Sequence, residues 1–423
     1  MRAIFDRRAG PTALIILVSW LTAAPVAWPG PLTLDEAWQL AAGRDAGRES
    51  LEGQAEAMRE MAVSSGALPD PEARLGAVNV PVDSFSLDAE EMTMLEVGIM
   101  QRFPAGETRS LSRARFESRA LEMDAEAVDR AREVRLGVER SWRELDYLAA
   151  LSDLLDREGR WLEALVAGAG AAYAAGEGGQ LELLDARLMR LEIEERRIDL
   201  QRDRESAQAE LARWIGDAAY GERQTAPPPQ PAPPLAGLLG QLDANPRIEA
   251  LDRARDAAER DVDLAGERYK PSFGLDLAYG FRQGRSMSGG SRPDMLTAML
   301  TFDVPLFTGH RQDRESAAAR AQVRALDSQR LDALRGLEAR LRAAHARAGR
   351  LGDIVRLYES EIGRLADVSV DAALAAYRSS AGSLADVVAT QRRVIDVNDR
   401  LARARKEHAI ALAEIHYLSG DNP

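Results

Sequence analysis

The segment that decides the fold consists of SFGLDLAYGF (residues 272–281), the loop RQGRSMSGGSRPD (residues 282–294) and MLTAMLTFDVPLF (residues 295–307). In both arms apolar residues alternate with small or polar ones, and this period of two places each set on its own face of a β-strand. The apolar set comprises Phe273, Leu275, Leu277, Tyr279 and Phe281, followed by Leu296, Ala298, Leu300, Phe302, Val304 and Leu306. The opposite set comprises Gly274, Asp276, Arg282, Thr297, Thr301 and Asp303.

Both arms have the length of a strand that crosses a membrane, since a tilted strand needs about 9–11 residues to do so. The polar, Gly- and Ser-rich loop between them is typical of the outward loops of membrane barrels. The hairpin therefore predicts a lipid-facing surface. Its members are Phe273, Leu275, Leu277, Tyr279, Phe281, Leu296, Leu300 and Phe302. An amphipathic hairpin on a soluble core is the alternative that these arms alone leave open.

Composition excludes several classes of function. The chain has 423 residues, a net charge of −13 and no cysteine. The negative charge argues against nucleic acid as a partner, and the absence of cysteine excludes disulfides, thiolate metal sites and a lipid-anchored amino-terminal cysteine. The abundance of Ala, Leu, Arg and Glu favours long helices over a large globular core.

The amino terminus, residues 1–27, is predicted to be a signal peptide. Arg2, Arg7 and Arg8 precede an apolar run over residues 12–24, and small residues follow it, with cleavage expected after Ala24 or Ala27. An uncleaved membrane anchor is the alternative. Because no later segment is apolar enough to span as a helix, strands would have to make any membrane contact of the mature chain.

The rest of the chain repeats one unit twice. Gly106 and Gly309 are 203 residues apart, and Tyr173 and Tyr377 are 204 apart. The first repeat, residues 31–222, is expected to hold a helix, a strand pair (72–103), a long helix (107–166), a tip and a helix (181–216). A proline-rich linker over residues 223–245 follows. The second repeat, residues 246–423, holds a helix, a strand pair (272–307), a long helix (311–367), a tip and a helix (384–418).

Apolar residues recur every seven positions in the long helices of the second repeat. One row of the first of them is Leu334, Leu341, Ala348, Val355 and Ile362, and the other is Leu337, Ala344, Leu351, Tyr358 and Leu365. Such rows, without a slip over five heptads, predict a narrow seam buried against another helix in a coiled coil. Short breaks between helices predict antiparallel hairpins. A solvated, rod-like coiled coil would explain the helices but not the two strand pairs.

Taken together, the chain resembles the TolC-like outer membrane efflux family over essentially the whole mature length. The matching segments are LTLDEAWQLA (32–41), QRFPAGETR (101–109), YAAGEGGQLELLDARL (173–188), ANPRIEALDRARDAAERDVDLAGERYKPSFGLDLAYGF (244–281), VPLFTGHRQ (304–312) and YRSSAGSLADVVATQ (377–391). The chain departs from the family pattern in GRDAG (43–47), where Asn-Pro is usual, and in His310, where a second Gly is common.

The resemblance implies a mostly α-helical fold with a membrane β part: a homotrimer whose 12-stranded outer-membrane barrel continues into a long helical coiled-coil barrel in the periplasm. Four strands cannot close a barrel alone. Eight strands from two chains would leave an interior filled by side chains, whereas the small, polar inner face suits a wider lumen. The residues do not decide between two and three chains; the resemblance implies three.

The implied function is that of a passive conduit for small molecules or metal ions. A periplasmic adaptor (membrane fusion) protein and an inner-membrane pump of RND or ABC type would deliver the cargo, and outer membrane lipid would surround the barrel. No nucleophile elbow, phosphate loop or zinc-type histidine spacing is present, so we expect neither enzymatic activity nor a cofactor. An exported periplasmic coiled-coil structural or adaptor protein without a pore is the alternative.

The resemblance also assigns candidate residues at the two tips. Asp386 aligns with an aspartate that narrows the periplasmic entrance, and Asp185 and Glu182 lie in the comparable region of the first tip. The local alternative for Asp386 is a capping box with Ser383. The adaptor-docking candidates are Tyr173, Gly176, Leu181, Leu184, Tyr377, Ser383 and Leu384. For these residues the alternative is a tight turn between helices.

Overall fold

The computed structural model describes residues 30–176, 178–286, 288–379 and 381–420, so the predicted signal peptide lies outside the described residues. The first repeat comprises α1 (Leu34–Ala42), α2 (Ala46–Gly66), β1 (Glu72–Val78), β2 (Met94–Phe103), α3 (Thr108–Ala174) and α4 (Gln180–Ile215). The linker contains α5 (Leu235–Gly240), and the second repeat comprises α6 (Pro246–Glu267), β3 (Phe273–Phe281), β4 (Met295–Phe302), α7 (Gln312–Leu357), α8 (Gly363–Arg378) and α9 (Leu384–Ser419).

Local capping sets the start of several helices. Thr33 and Glu36, which are three residues apart in the sequence, form a capping box at α1. The one helix expected before the first strand pair is instead two helices, because α1 ends at Gly43 and Asp45 caps α2 by accepting a hydrogen bond from the backbone of Gly47. The acidic N-cap offers a side-chain partner to an otherwise unpaired N–H group, which favours a new helix start at this position.

Both long helices differ from the expected bounds. α3 continues through the small residues 167–174, which were expected to break it; alanine is the best helix former, and the turn comes at Gly176, whose φ is +74°. In the second repeat a π-helical turn, Tyr358–Ile362, separates α7 from α8. A wider turn shifts the heptad register. The prediction of an unbroken seam is therefore wrong at its end, where Leu365 is 55% exposed.

The four strands form one antiparallel sheet in the order β1-β2-β3-β4. The two predicted strand pairs are joined by β2 and β3, with Leu95 opposite Phe281 and Phe103 opposite Phe273. β4 ends at Phe302, so Val304 and Leu306 lie beyond the strand that was expected to include them. Arg282 and Asp303, expected on the polar face, lie just outside the strands; the Asp303 carboxylate accepts hydrogen bonds from the backbone and hydroxyl of Ser272 at 2.5 and 2.7 Å.

Two apolar clusters hold the helical body together. One surrounds the fully buried Trp142 of α3 and includes residues of α1, α4 and α9. The other joins α5 and α7 to the end of α9. The proline-rich linker is fastened onto α3, since the Trp142 indole donates to the Gln224 carbonyl at 3.2 Å and Arg143 donates to the Pro227 carbonyl at 2.9 Å. These two hydrogen bonds hold the linker against α3.

Replacing Asn245 by alanine should lower the free energy of unfolding by about 1–2 kcal/mol. The buried Asn245 caps α6 through its side-chain oxygen and donates its amide to the Leu418 carbonyl at 3.0 Å, so it ties α6 to the end of α9. Urea denaturation in detergent measures the change. Asn245→Ser keeps a capping oxygen, loses only the donor and buries no charge, so it should be less harmful; equal stability of Asn245→Ala and the parent chain would contradict this role.

Candidate functional site

The two helix hairpins meet at their tips. Leu384, at the start of α9, packs with Ala169 of α3 and Leu183 of α4, and Tyr377 of α8 lies against the same cluster. The tips of the two repeats therefore form one unit, although about 200 residues of sequence separate them. The sequence did not predict this contact, because heptad patterns do not show which hairpin a given helix end will touch.

The predicted docking residues divide into exposed and structural ones. Tyr173, Leu181 and Leu184 are exposed on the first tip, with Leu181 71% exposed. On the second tip Leu384 is only 1% exposed and Ser383 caps α9. The exposed apolar candidates thus lie on the first hairpin. On the second hairpin Leu384 packs against the first one, and Ser383 caps α9. Docking itself stays a prediction.

The candidate entrance residues lie close to these tips. The exposed Asp386 forms the capping box of α9, in which its carboxylate accepts from the Ser383 hydroxyl at 2.7 Å and from the Ser383 backbone at 3.0 Å. These bonds hold the pKa of Asp386 below its usual range, so the carboxylate stays charged at neutral pH. Glu182 and Asp185 are half-buried in the first turns of α4. An acidic ring formed by several copies remains a prediction for all three residues.

Near the tips, two helix surfaces present unpaired apolar stripes. The stripe on α4 comprises Leu181, Leu184, Leu188, Leu191 and Ile198, and the stripe on α7 and α8 comprises Ile354, Leu357, Leu365 and Val368. All are at least 41% exposed. Leu184, Leu191 and Ile198 recur every seven residues in the sequence, but this spacing does not reveal that no other described residue covers them. Exposed apolar stripes at coiled-coil spacing need a partner helix to exclude water.

A polar cluster that the sequence did not reveal links α3 to α9; we call it the α3–α9 clamp. The Tyr147 hydroxyl donates to the Asp399 carboxylate at 2.7 Å and accepts from Arg403 at 3.3 Å. Lys406 pairs with Glu144 at 2.9 Å and lies over the Tyr147 ring. Burial and the nearby Asp399 raise the pKa of Tyr147 to about 12, so its hydroxyl remains a donor at physiological pH.

Closer to the tips, a buried pair makes a second link between α3 and α9. The Glu158 carboxylate accepts a hydrogen bond from the Gln391 amide, and both side chains are buried. Burial raises the pKa of Glu158, although the bond from Gln391 and the charge of Arg157 oppose the rise. Folding therefore favours the protonated form of Glu158. The penalty for the ionised form is present at neutral pH and disappears as pH falls through the raised pKa toward the ordinary value of 4.5.

We expect Glu158→Gln to be more stable than the parent chain at neutral pH and equally stable at about pH 4, because only the parent carries the ionisation penalty. Thermal unfolding at the two pH values gives the comparison. Glu163→Gln, at an exposed position of the same helix, is the matched control and should show no such dependence. A stability difference that does not change with pH would contradict the assignment.

At the opposite end, the sheet has one apolar and one polar face. The apolar face combines Leu95, Val97 and Ile99 of β2 with the alternating residues predicted for β3 and β4, and these side chains are exposed. On β3 the residues of the polar face, including Asp276, are buried. Asp276 pairs with Arg74 of β1. On β3 the apolar face is therefore the exposed one, the reverse of the pattern for a sheet in water, whereas on β4 both faces are exposed.

Beyond the strands, two loops are tied together. Arg292 donates to the carbonyls of Asp88 and Glu90 at 3.1 and 2.8 Å, and Arg282 donates to the Glu91 carbonyl at 3.2 Å. Among the described residues, no helix has both the length and the apolarity needed to span a membrane. The same residues hold no group of three or more His, Cys, Asp or Glu side chains arranged to bind a metal ion.

Residues 241–421 match the family model described as outer membrane efflux protein, and a comparison with curated protein sequences finds no match. Among solved structures, VceC of Vibrio cholerae has a TM-score of 0.76 and 17% identity, over 92% of this chain and 96% of that one. CmeC of Campylobacter jejuni has a TM-score of 0.75 and 13% identity, over 99% and 94%. The open state of MtrE of Neisseria gonorrhoeae has a TM-score of 0.72 and 16% identity, over 92% and 88%.

These structures are outer membrane proteins or channels, and at such identities they establish the fold of the chain. The fold class expected from the sequence, helical with a membrane β part, is thus confirmed.

Proposed function

Since residues 241–421 match the family model of outer membrane efflux proteins and the chain has the fold of solved outer membrane channels, we propose that it is a TolC-like channel component of a tripartite efflux system. It acts as a passive conduit. Its strands lie in the outer membrane and its helices extend into the periplasm. Cargo comes from an inner-membrane pump of RND or ABC type through a periplasmic adaptor (membrane fusion) protein.

The observation that carries the proposal is the open sheet. Its edges β1 and β4 have no partner among the described residues, and its apolar face is exposed along β2, β3 and β4. Unpaired strand edges cannot lie in hydrocarbon, so the sheet must close with other copies. Three chains supply twelve strands, enough for a water-filled lumen lined by the small polar face.

The two exposed apolar stripes on the helices also support assembly of identical chains into a ring. The stripe on α4 and the stripe on α7 and α8 are different surfaces at a similar distance from the tips, as a head-to-tail ring of identical chains requires. In this arrangement each copy covers the α4 stripe of its neighbour. The apolar residues nearest the first tip, Tyr173 and Leu181, remain the best candidates for contact with an adaptor.

Planar bilayer recording tests the proposal. The purified chain should insert and give discrete, ohmic conductance steps, because a wet lumen passes ions without a specific site. A variant with aspartate in place of Leu277, in the middle of the apolar face, should insert far less often, since a charged residue on the lipid face destabilises a membrane barrel. Aspartate in place of the exposed Ser288, in the loop, is the control.

A chain that stays monomeric and water-soluble without detergent, and that gives no conductance, would overturn the proposal. That outcome would favour the alternative, an exported periplasmic coiled-coil structural or adaptor protein without a pore.

A further inference from the structure

A cavity of about 410 Å³ lies between α1, α3, the proline-rich linker and α9; we call it the linker cavity. Leu34, from the apolar cluster around Trp142, and Leu412, from the cluster that joins α5 and α7 to the end of α9, both line it. Its volume falls within the range of about 300–1,000 Å³ that is typical of sites for small molecules. The linker cavity is therefore large enough for a ligand and lies at the junction of the two apolar clusters.

Four side chains that line the linker cavity carry a buried polar atom with no hydrogen-bond partner among the described residues. These atoms are Trp38 Nε1, Arg132 Nη1, Arg143 Nε and His416 Nδ1. The indole and the two guanidinium groups can only donate, whereas the imidazole can donate or accept. Because buried donors in proteins are almost always paired, these groups require an acceptor, and the cavity that they share is where one acceptor can serve several of them.

Positive charge also exceeds negative charge around the linker cavity. Three guanidinium groups and two carboxylates line it: those of Arg132, Arg135 and Arg143, and those of Asp35 and Glu139. Burial lowers the pKa of Arg135, although the charges of Glu139 and Asp35 oppose this shift. The two carboxylates therefore offset the desolvation of Arg135 only in part, and a negatively charged acceptor would offset it further.

The rest of the cavity wall is apolar and partly flat. It includes the side chains of Trp38, Leu136, Pro228, Leu412 and Tyr417. The Arg135 guanidinium lies over the Trp38 ring, 3.9 Å from its centre, so positive charge adjoins a flat apolar surface. Arg143 holds the proline segment in place by donating to the Pro227 carbonyl. A ligand with an oxyanion group and an apolar body would contact both kinds of surface, whereas an inorganic ion would contact only one.

We propose that the linker cavity binds a small organic anion that carries a carboxylate or phosphate group. The oxyanion group accepts hydrogen bonds from Trp38, Arg132 and Arg143, and the apolar body lies against the prolines and Tyr417. Hydrogen bonds from guanidinium groups to oxyanions are among the strong ones in proteins. Because the ligand contacts α1, α3, the linker and α9 at once, binding stabilises the folded chain. The lining residues belong to neither the tips nor the sheet, so the inference does not depend on the proposed channel function.

Three flat molecules of similar shape and different charge test the inference: benzoate, neutral benzamide and the benzamidinium cation. Isothermal titration calorimetry of the chain in nonionic detergent at neutral pH should show saturable binding of benzoate alone. Benzoate should also raise the midpoint of thermal unfolding, since it binds only the folded chain. Binding of benzamide as tight as that of benzoate, or no saturable binding of benzoate, would overturn the inference.

The double variant Trp38→Phe, Arg132→Gln tests which residues form the site. It keeps an aromatic ring at position 38 and removes two donors, so its affinity for benzoate should fall at least about tenfold. Arg140→Gln, at an exposed position of α3 outside the cavity, is the matched control and should bind as the parent does. Undiminished benzoate binding by a double variant with unchanged circular dichroism would contradict the site. The comparison of benzoate with benzamide uses the parent chain, so it decides the question even if the double variant does not fold.

Discussion

Replacing Leu188 and Leu191 of α4 by glutamate should abolish assembly of the chain into a ring. Both side chains are exposed in the single chain and would be covered by α7 and α8 of the next copy. Two glutamates at this contact would be buried without a partner, at a cost of several kcal/mol for each charge. The same penalty recurs at every interface of the ring. Light scattering after size exclusion in detergent should therefore show monomers in place of trimers.

Arg190→Glu is the matched control, since Arg190 is exposed on the same helix but points away from the stripe. It should assemble as the parent does, and far-ultraviolet circular dichroism should show unchanged helix content in both variants. Trimers formed by Leu188→Glu, Leu191→Glu would contradict the role of the stripe.

Removing the hydrogen bonds and the ion pair of the α3–α9 clamp should raise the open probability of the channel. Tyr147→Phe removes the hydroxyl that joins Asp399 to Arg403, and Lys406→Met removes the pair with Glu144. Hydrogen bonds to charged groups contribute about 1.5–3 kcal/mol each, and about 1.4 kcal/mol shifts a two-state equilibrium tenfold. If the hairpins must separate for the periplasmic end to widen, the double variant should be open at least about tenfold more often.

Arg405→Gln provides the comparison, because Arg405 lies on the same helix but pairs with Glu359 of its own repeat. The open probability of the Arg405→Gln variant should match that of the parent chain. Single-channel recording of the three proteins at equal voltage decides the question. Equal open probability in the clamp variant and the parent would show that the clamp does not control the entrance.

The strand faces could be predicted because alternation with period two is written directly in the sequence. The same reasoning could not predict the pairing of β2 with β3, since these strands are about 170 residues apart and register depends on packing. It also placed Val304 and Leu306 in β4, because alternation continues past Pro305, where the ladder has already ended. Proline lacks the N–H group that the ladder needs.

The sequence predicted which segments are helical, but it did not predict where a helix changes geometry or where it ends. A heptad pattern does not reveal a π-helical turn, so Tyr358 and Leu365 were placed in one row although the helix changes register between them. Small residues at 167–174 were expected to break α3, yet they extend it to the tip. Tyr147 and Asp399 were not recognised, because a contact across 252 residues leaves no local pattern.

The central claim is that the four strands of each chain close a barrel in the membrane only together with those of sister copies. Electron cryomicroscopy of the purified chain in lipid nanodiscs tests this most directly. The account predicts three copies around one axis, with twelve strands inside the disc and the helices projecting from one side. A single copy per particle, or strands packed within a body that lies outside the lipid, would contradict it.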